Sequence, residues 1–327
     1  MNNNYTFRTR QKVNVRSAEE ILATLDSDGT LDGLPFMPEM LHSCGRSFHV
    51  RSQVVKTCVD GHPMRQFPDD DVVILDGPRC DGSAHDGCKH GCRIFWKKAW
   101  LRPADGGSPP VEQSSAALES LRARLKSKTD TQRYYCQSTQ LYEATRAFPD
   151  AQKHQTVRLA LRAVRVGDLS PAAVIKMTLR WLWLKVWRWA DGDRWLRGTQ
   201  QRTPTQSLGL QPGERVRIKS RAEIAQTLDN RGRNRGMGIC TEMQRCFGHE
   251  AEVHYRVDRL IEESTGKMRE LSDSVALKNI NNSESLAEEC LCYGQLGDCP
   301  RGEIMYWREI WLERVGGGQH HTQNQPS

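Results

Sequence analysis

The sequence predicts an α+β fold in which two duplicated small β-barrel units are joined by a helical segment. Three observations lead to this prediction. The chain of 327 residues repeats one of its own segments, each copy has the pattern of several short strands, and the residues between the copies have helical periodicity. A chain of this length also suits two domains of about 100–200 residues each.

The repeat becomes visible when residues 13–40 are placed against residues 216–243. They align without a gap, and 11 of the 28 pairs are identical. The match returns at the end of each copy, where residues 95–101 read FWKKAWL and residues 306–312 read YWREIWL. We therefore assign the first repeat to residues 13–102 and the second to residues 216–314.

Each copy is predicted to consist of about five short strands, a number that suits a small closed barrel. Alternating apolar residues open the first copy at 13–15, and a brief helical turn capped by Ser17 or Ser220 follows. Alternating stretches at 48–55, 71–75 and 251–261 predict further strands. The last segment, 94–101 or 305–312, is interpreted as a strand or a strand that runs into a turn.

Residues 103–212, between the copies, have a different character. The first part, 103–115, is rich in Pro, Gly and Ser and is typical of a linker. Leucines at helical spacing predict a helix over 115–128, and a second helix is predicted over 152–166. Ser170 and Pro171 are suited to begin a Trp-rich helix at 171–196. Residues 315–327 are predicted to be a disordered tail.

The composition excludes several classes of protein. The net charge of +7 permits contact with nucleic acid or anionic lipid but requires neither. No apolar run approaches the ~18–20 residues that cross a bilayer, and no secretion signal opens the chain, so the cytoplasm is the expected location. The GxGxxG, GxxxxGK[ST], HExxH and GxSxG patterns are absent, so the sequence names no reaction.

The densest chemistry lies at 80–92, where the chain reads CDGSAHDGCKHGC. Thiols and imidazoles in a reducing compartment are typical ligands of zinc, and thiolates alone also bind iron–sulfur clusters. We therefore predict a zinc or iron site whose candidate ligands are Cys80, Cys88, Cys92, Cys136, His85 and Cys58. Buried free thiols that simply pack as small apolar side chains are the alternative. The second copy keeps thiols near two of the three positions, with Cys299 opposite Cys88, and loses both histidines.

Two further segments indicate which kinds of partner the protein could bind. Residues 173–196 hold five of the nine tryptophans among basic residues, a composition suited to peripheral contact with the inner face of a membrane or to packing as a helix inside the protein. Residues 231–235 read RGRNR and could contact phosphate, but the aligned residues 28–32 of the first copy are DGTLD. A nucleic-acid function shared by both copies is therefore disfavoured, and a protein partner is expected.

Several motifs resemble an uncharacterised family of bacterial proteins. They read VRSAEEI, RCDGSAHDGC and YWREIWLERV, and the likeness extends to Tyr135, Cys136 and Gln137. The resemblance implies two Src-homology-3-like barrel units and an association with polysaccharide or secondary-metabolite biosynthesis. It implies no catalytic residue.

These observations lead to two expectations about function. The first is a non-catalytic accessory or scaffold protein with a structural metal site in the first repeat. The second is a zinc- or iron-dependent metalloenzyme of a biosynthetic pathway, in which the Cys80, Cys88 and Cys92 cluster keeps a coordination position open to substrate.

Overall fold

The computed structural model describes residues 6–54, 56–69, 71–104, 113–147, scattered positions between 161 and 179, and residues 196–280, 301–302 and 304–315. The fold is a mixed α and β fold dominated by strands, with few helices and a sheet curled into a half-barrel. This confirms the coarse fold class that the sequence predicts.

The first repeat is built on a five-stranded antiparallel sheet of order β7-β6-β4-β1-β8. The strands of this half of the chain are β1 (Lys12–Val15), β2 (Thr30–Leu31), β3 (Leu34–Pro35), β4 (Ser47–Gln53), β5 (Arg65–Gln66), β6 (Val72–Arg79), β7 (Arg93–Lys97), β8 (Leu101–Pro103) and β9 (Arg146–Ala147). Beside the sheet, β2 and β3 form a short hairpin, and β5 pairs with β9, which follows the first repeat in sequence. The first strand pairs with the last, since Val15 lies opposite Leu101.

The second repeat contains a five-stranded antiparallel sheet of order β17-β16-β13-β10-β18. The strands of this half of the chain are β10 (Arg215–Ile218), β11 (Arg233–Asn234), β12 (Met237–Gly238), β13 (Glu250–Arg256), β14 (Arg259–Glu262), β15 (Lys267–Glu270), β16 (Ser274–Lys278), β17 (Tyr306–Arg308) and β18 (Leu312–Arg314). Position by position, this is the strand order of the first sheet.

Local sequence explains the matching helical turns. The short helix Ala18–Leu22 begins at a capping box in which Ser17 and Glu20 bond each other's backbone N–H groups, and Ser220 and Glu223 do the same for the helix Arg221–Ala225. The aromatic segments are not continuous strands: a 3₁₀ turn interrupts each of them, at Lys98–Trp100 and Glu309–Trp311.

Each repeat has its own apolar core, centred on two fully buried tryptophans. These are Trp96 and Trp100 in the first core and Trp307 and Trp311 in the second. The indole N–H of Trp100 donates to the Thr24 hydroxyl over 3.1 Å, and that of Trp311 donates to the Thr227 hydroxyl over 2.9 Å. In both repeats this acceptor is a threonine just after the short helix, whereas the indole N–H groups of Trp96 and Trp307 have no hydrogen-bond partner among the described residues.

The compact units of the chain do not follow the repeat boundaries. The first unit contains the described residues of 1–190 together with 259–270 and 291–303, and the second contains those of 191–258, 271–290 and 304–327. The hairpin β14–β15 therefore belongs to the first unit, because its hydrogen bonds are made there. Gly266 accepts from the Tyr134 amide over 2.8 Å, and Arg259 accepts from the Lys89 amide over 2.9 Å.

A buried ion pair also holds this hairpin within the first unit. Arg301 and Glu263 lie 2.5 Å apart, and each side chain is 5 % exposed. The Glu263 carboxylate also accepts from the Asp60 amide and the Ser138 hydroxyl, both over 3.1 Å. Because of these bonds, a hairpin that belongs to the second repeat in sequence packs within the first unit.

The segment between the repeats is only partly described. Its clearest elements are the helix Ser115–Arg124, which ends four residues before the predicted end, and a helical turn at Gln137–Gln140. The tryptophans of the predicted helix at 171–196, most of the predicted helix at 152–166, and the tail from 316 onward lie outside the described residues. In the part of the chain that the structure describes, no helix combines the length and the apolar character needed to cross a bilayer.

Candidate metal centre

The loop after β6 folds back on itself and carries four of the six candidate ligands, Cys80, His85, Cys88 and Cys92. The Cys80 amide donates to the carbonyl of Cys92 over 2.8 Å, which closes the loop. The carbonyl of Gly82 accepts from the amides of His85 and Gly87, each over 3.0 Å. Gly82 has a φ of +71°, and a Cβ there would overlap the Cys88 backbone, so only glycine fits. This turn directs His85 into the protein, where it is 1 % exposed.

A third residue meets these two from a different part of the repeat. Glu39 lies in the 3₁₀ helix Pro38–Ser43 and is buried, with a side chain that is 1 % exposed. One ligand atom each from Glu39, Cys80 and His85 lies within 4.8 Å of the others. A carboxylate, a thiol and an imidazole thus converge in the interior of the first unit.

The imidazole of His85 is oriented by its two partners. Its Nε2 lies 3.1 Å from the carbonyl oxygen of Tyr135, and its Nδ1 lies 2.5 Å from Oε1 of Glu39. Because a carbonyl oxygen only accepts, Nε2 carries a hydrogen, and Nδ1 presents its lone pair in the neutral ring. Only a shared proton makes an approach of 2.5 Å favourable, since two ligands of a tetrahedral zinc ion, each bound at about 2.0 Å, lie about 3.3 Å apart. A backbone acceptor on the far nitrogen is also the usual support of a metal-bound histidine.

Oε2 of Glu39 is buried and has no hydrogen-bond partner among the described residues. A carboxylate oxygen deprived of both water and donors is costly, and a bound cation relieves that cost. This oxygen belongs to the same side chain that approaches His85 and Cys80, so the atom that lacks a hydrogen-bond partner lies in the cluster itself.

The charges of the cluster are strongly coupled. Burial disfavours the charged forms of the Glu39 carboxyl and the His85 imidazole. The hydrogen bond between these two side chains and the attraction of their opposite charges outweigh the effect of burial. The result lowers the pKa of Glu39 and raises the pKa of His85. Burial, followed by the charges of Glu39, Cys92 and Cys136, raises the pKa of the Cys80 thiol far above its ordinary value. A thiolate at Cys80 therefore requires a cation beside it.

Two of the six predicted ligands belong to the cluster of Glu39, Cys80 and His85. Cys80 and His85 join the cluster, whereas Cys88 packs with Tyr134 and Ile261 in a separate apolar cluster. The sulfur of Cys88 there accepts the Ile261 amide over 3.4 Å. Of the three predicted thiols Cys80, Cys88 and Cys92, the group that could hold a metal ion contains Cys80, whereas Cys88 packs as a small apolar side chain.

The other three candidates, Cys92, Cys136 and Cys58, do not belong to the group of Glu39, Cys80 and His85. Cys92 bonds Cys80 through its backbone, and burial raises the pKa of the Cys136 thiol to about 12. Cys58 offers its carbonyl to Arg301 over 3.1 Å. Cys299, which aligns with Cys88 in the second copy, lies outside the described residues.

Sequence reasoning missed Glu39. A signal was present, because Glu39 is one of the 11 identical positions of the repeat and aligns with Glu242. A glutamate that opens a helical turn is ordinarily exposed, however, and only its burial marks it as a ligand.

The combined donor set has a recognisable chemistry. Imidazole nitrogen, thiolate sulfur and carboxylate oxygen are the three ligand types of zinc, and a mixed set of this kind is unlike the all-thiolate set of an iron–sulfur cluster. Comparison of the chain with protein-family models, with curated proteins and with solved structures finds no match in any of the three. The case for a function therefore depends on the geometry of this cluster.

Proposed function

We propose that the protein is a non-catalytic accessory or scaffold protein whose first unit is stabilised by a structural zinc ion bound to Glu39, Cys80 and His85. The observation that carries this proposal is the buried, unpartnered Oε2 of Glu39 beside a thiol and an oriented imidazole. A zinc ion would displace the proton shared by Glu39 and His85, with the two side chains moving apart to bind it, and would supply the cation that a thiolate at Cys80 needs.

Burial favours a structural over a catalytic role. A catalytic zinc keeps a position open to water or substrate, whereas a structural zinc is enclosed by four protein ligands. The side chains of Glu39 and His85 are each 1 % exposed. We assign the fourth position to Cys92, whose carbonyl accepts from the Cys80 amide, or to Cys136, which follows Tyr135 at the far nitrogen of His85.

The architecture supports a binding role for the repeats. Each five-stranded sheet pairs its first strand with its last, and a 3₁₀ turn precedes that last strand. These features support the proposal that each repeat is a Src-homology-3-like barrel, a small fold suited to holding a protein partner. We place the protein in the cytoplasm, where its thiols remain available to zinc.

The test measures metal content in the full-length protein prepared without chelators under anaerobic conditions. We expect stoichiometric zinc in the natural chain and its loss in Cys80→Ser. The matched control is Cys88→Ser, in the same loop, which keeps its zinc because Cys88 packs against Ile261. Substitution of cobalt(II) for zinc adds an independent readout, since thiolate ligation gives a visible absorption band that Cys80→Ser weakens.

Absence of stoichiometric metal from the natural chain would overturn the proposal. Equal loss of metal from both variants would overturn the ligand assignment. Circular dichroism of the two variants separates loss of a ligand from loss of the fold, since a folded Cys80→Ser protein without zinc identifies Cys80 as a ligand.

A further inference from the structure

Five arginines of the second unit occupy two segments that lie side by side. We call them the arginine surface; they are Arg197, Arg202, Arg231, Arg233 and Arg235, and all five are exposed. The segments are joined through the backbone, because the amides of Gly198 and Gln200 donate to the carbonyls of Asp229 and Leu228 over 2.9 and 3.1 Å.

Three of these arginines lie in the hairpin β11–β12 and the turn that precedes it. Arg231, Arg233 and Arg235 are exposed, whereas Gly232 and Asn234 between them are buried. The Asn234 side chain donates to the carbonyls of Pro204 and Thr227, each over 3.0 Å. With Asn234 anchored inward, the side chains of Arg233 and Arg235 on either side of it are exposed.

Little negative charge opposes the arginine surface. Residues 196–207 contain no acidic residue, and residues 229–238 contain only Asp229. Oδ1 of Asp229 accepts from the backbone amides of residues 231 and 233. Among the described residues only Arg235 of the five forms an ion pair, with Asp273 over 3.2 Å. The guanidinium groups at 197, 202, 231 and 233 therefore remain available to an anion.

The tip of this hairpin is conformationally unusual. Arg235 has a φ of +48° and Gly236 a φ of +84°, the left-handed pair of a two-residue hairpin turn. Asn or Asp is the ordinary choice at the first of these positions, and the first repeat has Asp32 there, with a φ of +52°. The second repeat thus places a cation where the turn favours a small polar residue, a local cost of the kind found at functional sites.

We propose that the arginine surface binds the phosphate backbone of a nucleic-acid duplex without reading its sequence. Guanidinium groups match phosphate oxygens in geometry and charge. Neither segment contains Phe, Tyr or Trp, so the stacking platform that single strands require is missing from them. Neither segment has an exposed large apolar side chain that would enter a lipid layer.

The proposal is confined to the second repeat. The aligned loop of the first repeat carries Asp26, Asp28 and Asp32, and Lys126 already pairs with Asp28 over 2.6 Å. The acidic first copy argued against a nucleic-acid role shared by both repeats. It does not bear on a surface that only one repeat presents.

The test is fluorescence anisotropy of the full-length protein with a mixed-sequence DNA duplex and with one of its strands alone. We expect the duplex to bind more tightly than the strand, with an affinity that falls steeply with salt. The double variant Arg231→Gln, Arg233→Gln should reduce the slope of log affinity against log salt by about two.

The matched control is Arg215→Gln, Arg217→Gln, which removes the same charge from exposed arginines of β10 that already pair with Glu250 and Glu313. It should leave duplex binding nearly unchanged. The proposal is overturned if the duplex does not bind at low salt, if the control lowers affinity as much as the test variant, or if the single strand binds more tightly. Binding to anionic lipid vesicles in preference to the duplex would overturn it as well.

Discussion

Lys97 and Arg308 occupy the same position of the two repeats and are both buried. The Lys97 ammonium pairs with Asp32 and Asp71, each over 2.8 Å. Arg308 instead donates to the carbonyl of Ser272 over 2.9 Å and to that of Arg235 over 3.1 Å. Both cations connect the tip of a short hairpin to the sheet. Lys97 does so through carboxylates, and Arg308 does so through backbone carbonyls.

Cys44, a buried thiol of the first core, leads to a prediction about pH. Burial raises its pKa to about 12, against about 8.5 in an unfolded chain. Between these values the unfolded chain has lost the proton and the folded chain has kept it, so the free energy of unfolding falls as pH rises. Urea unfolding at a series of pH values should show a smaller fall for Cys44→Ala than for the natural chain. An identical fall in both would contradict the burial of this thiol.

At the scale of elements, the loop 80–92 depends on glycines for two different reasons. Gly82 and Gly87 both have left-handed φ values, +71° and +76°. A Cβ at Gly82 would overlap the Cys88 backbone, whereas the nearest atom to a Cβ at Gly87 is a side-chain carbon of Arg259 at 4.0 Å. Conformation constrains both positions, and space constrains only Gly82.

This difference predicts unequal effects of two similar substitutions. Gly87→Ala should cost about 1–2 kcal/mol of stability, the cost of a left-handed conformation, and should keep its zinc. Gly82→Ala should cost more and should lose zinc, because the loop cannot close and direct His85 toward Glu39. Metal analysis and thermal unfolding of the two variants check this. Zinc retained in Gly82→Ala would show that the turn does not position the ligands.

At the scale of the whole molecule, the units of folding differ from the units of duplication. The hairpin β14–β15 lies within the second repeat in sequence but within the first unit in space. Its backbone contacts the loop 80–92 directly, since the Lys89 amide donates to the Arg259 carbonyl. Removal of the metal should therefore lower the local stability of the hairpin and leave the stability of its sequence neighbours, β13 and β16, unchanged.

Hydrogen exchange followed by mass spectrometry tests this coupling. When zinc is removed by a chelator, we expect faster exchange in residues 80–92 and in the hairpin 259–270. Peptides from β13 and β16, which flank the hairpin in sequence, should exchange as before and serve as the internal control. A hairpin that stays protected while the metal loop opens would contradict the coupling, as would a uniform loss of protection across β13 and β16.

Sequence alone determined the features that depend on near neighbours. Capping boxes, alternating strands and the Trp-bearing turn recur in both repeats because hydrogen bonds and apolar faces a few residues apart encode them. The same reasoning named Cys80 and His85 as candidate ligands, because clustered thiols and imidazoles are visible in the sequence.

Tertiary structure decided which side chains meet. Glu39 contacts His85 across a separation of 46 residues, and no local pattern predicts that a glutamate of a helical turn faces the core. Cys88 has the spacing of a ligand, yet the apolar surface of Ile261 holds it away from the site. The arginine surface likewise depends on two segments whose pairing only the fold creates. Long-range packing selects among side chains that sequence leaves equivalent, because the burial of each depends on elements far along the chain.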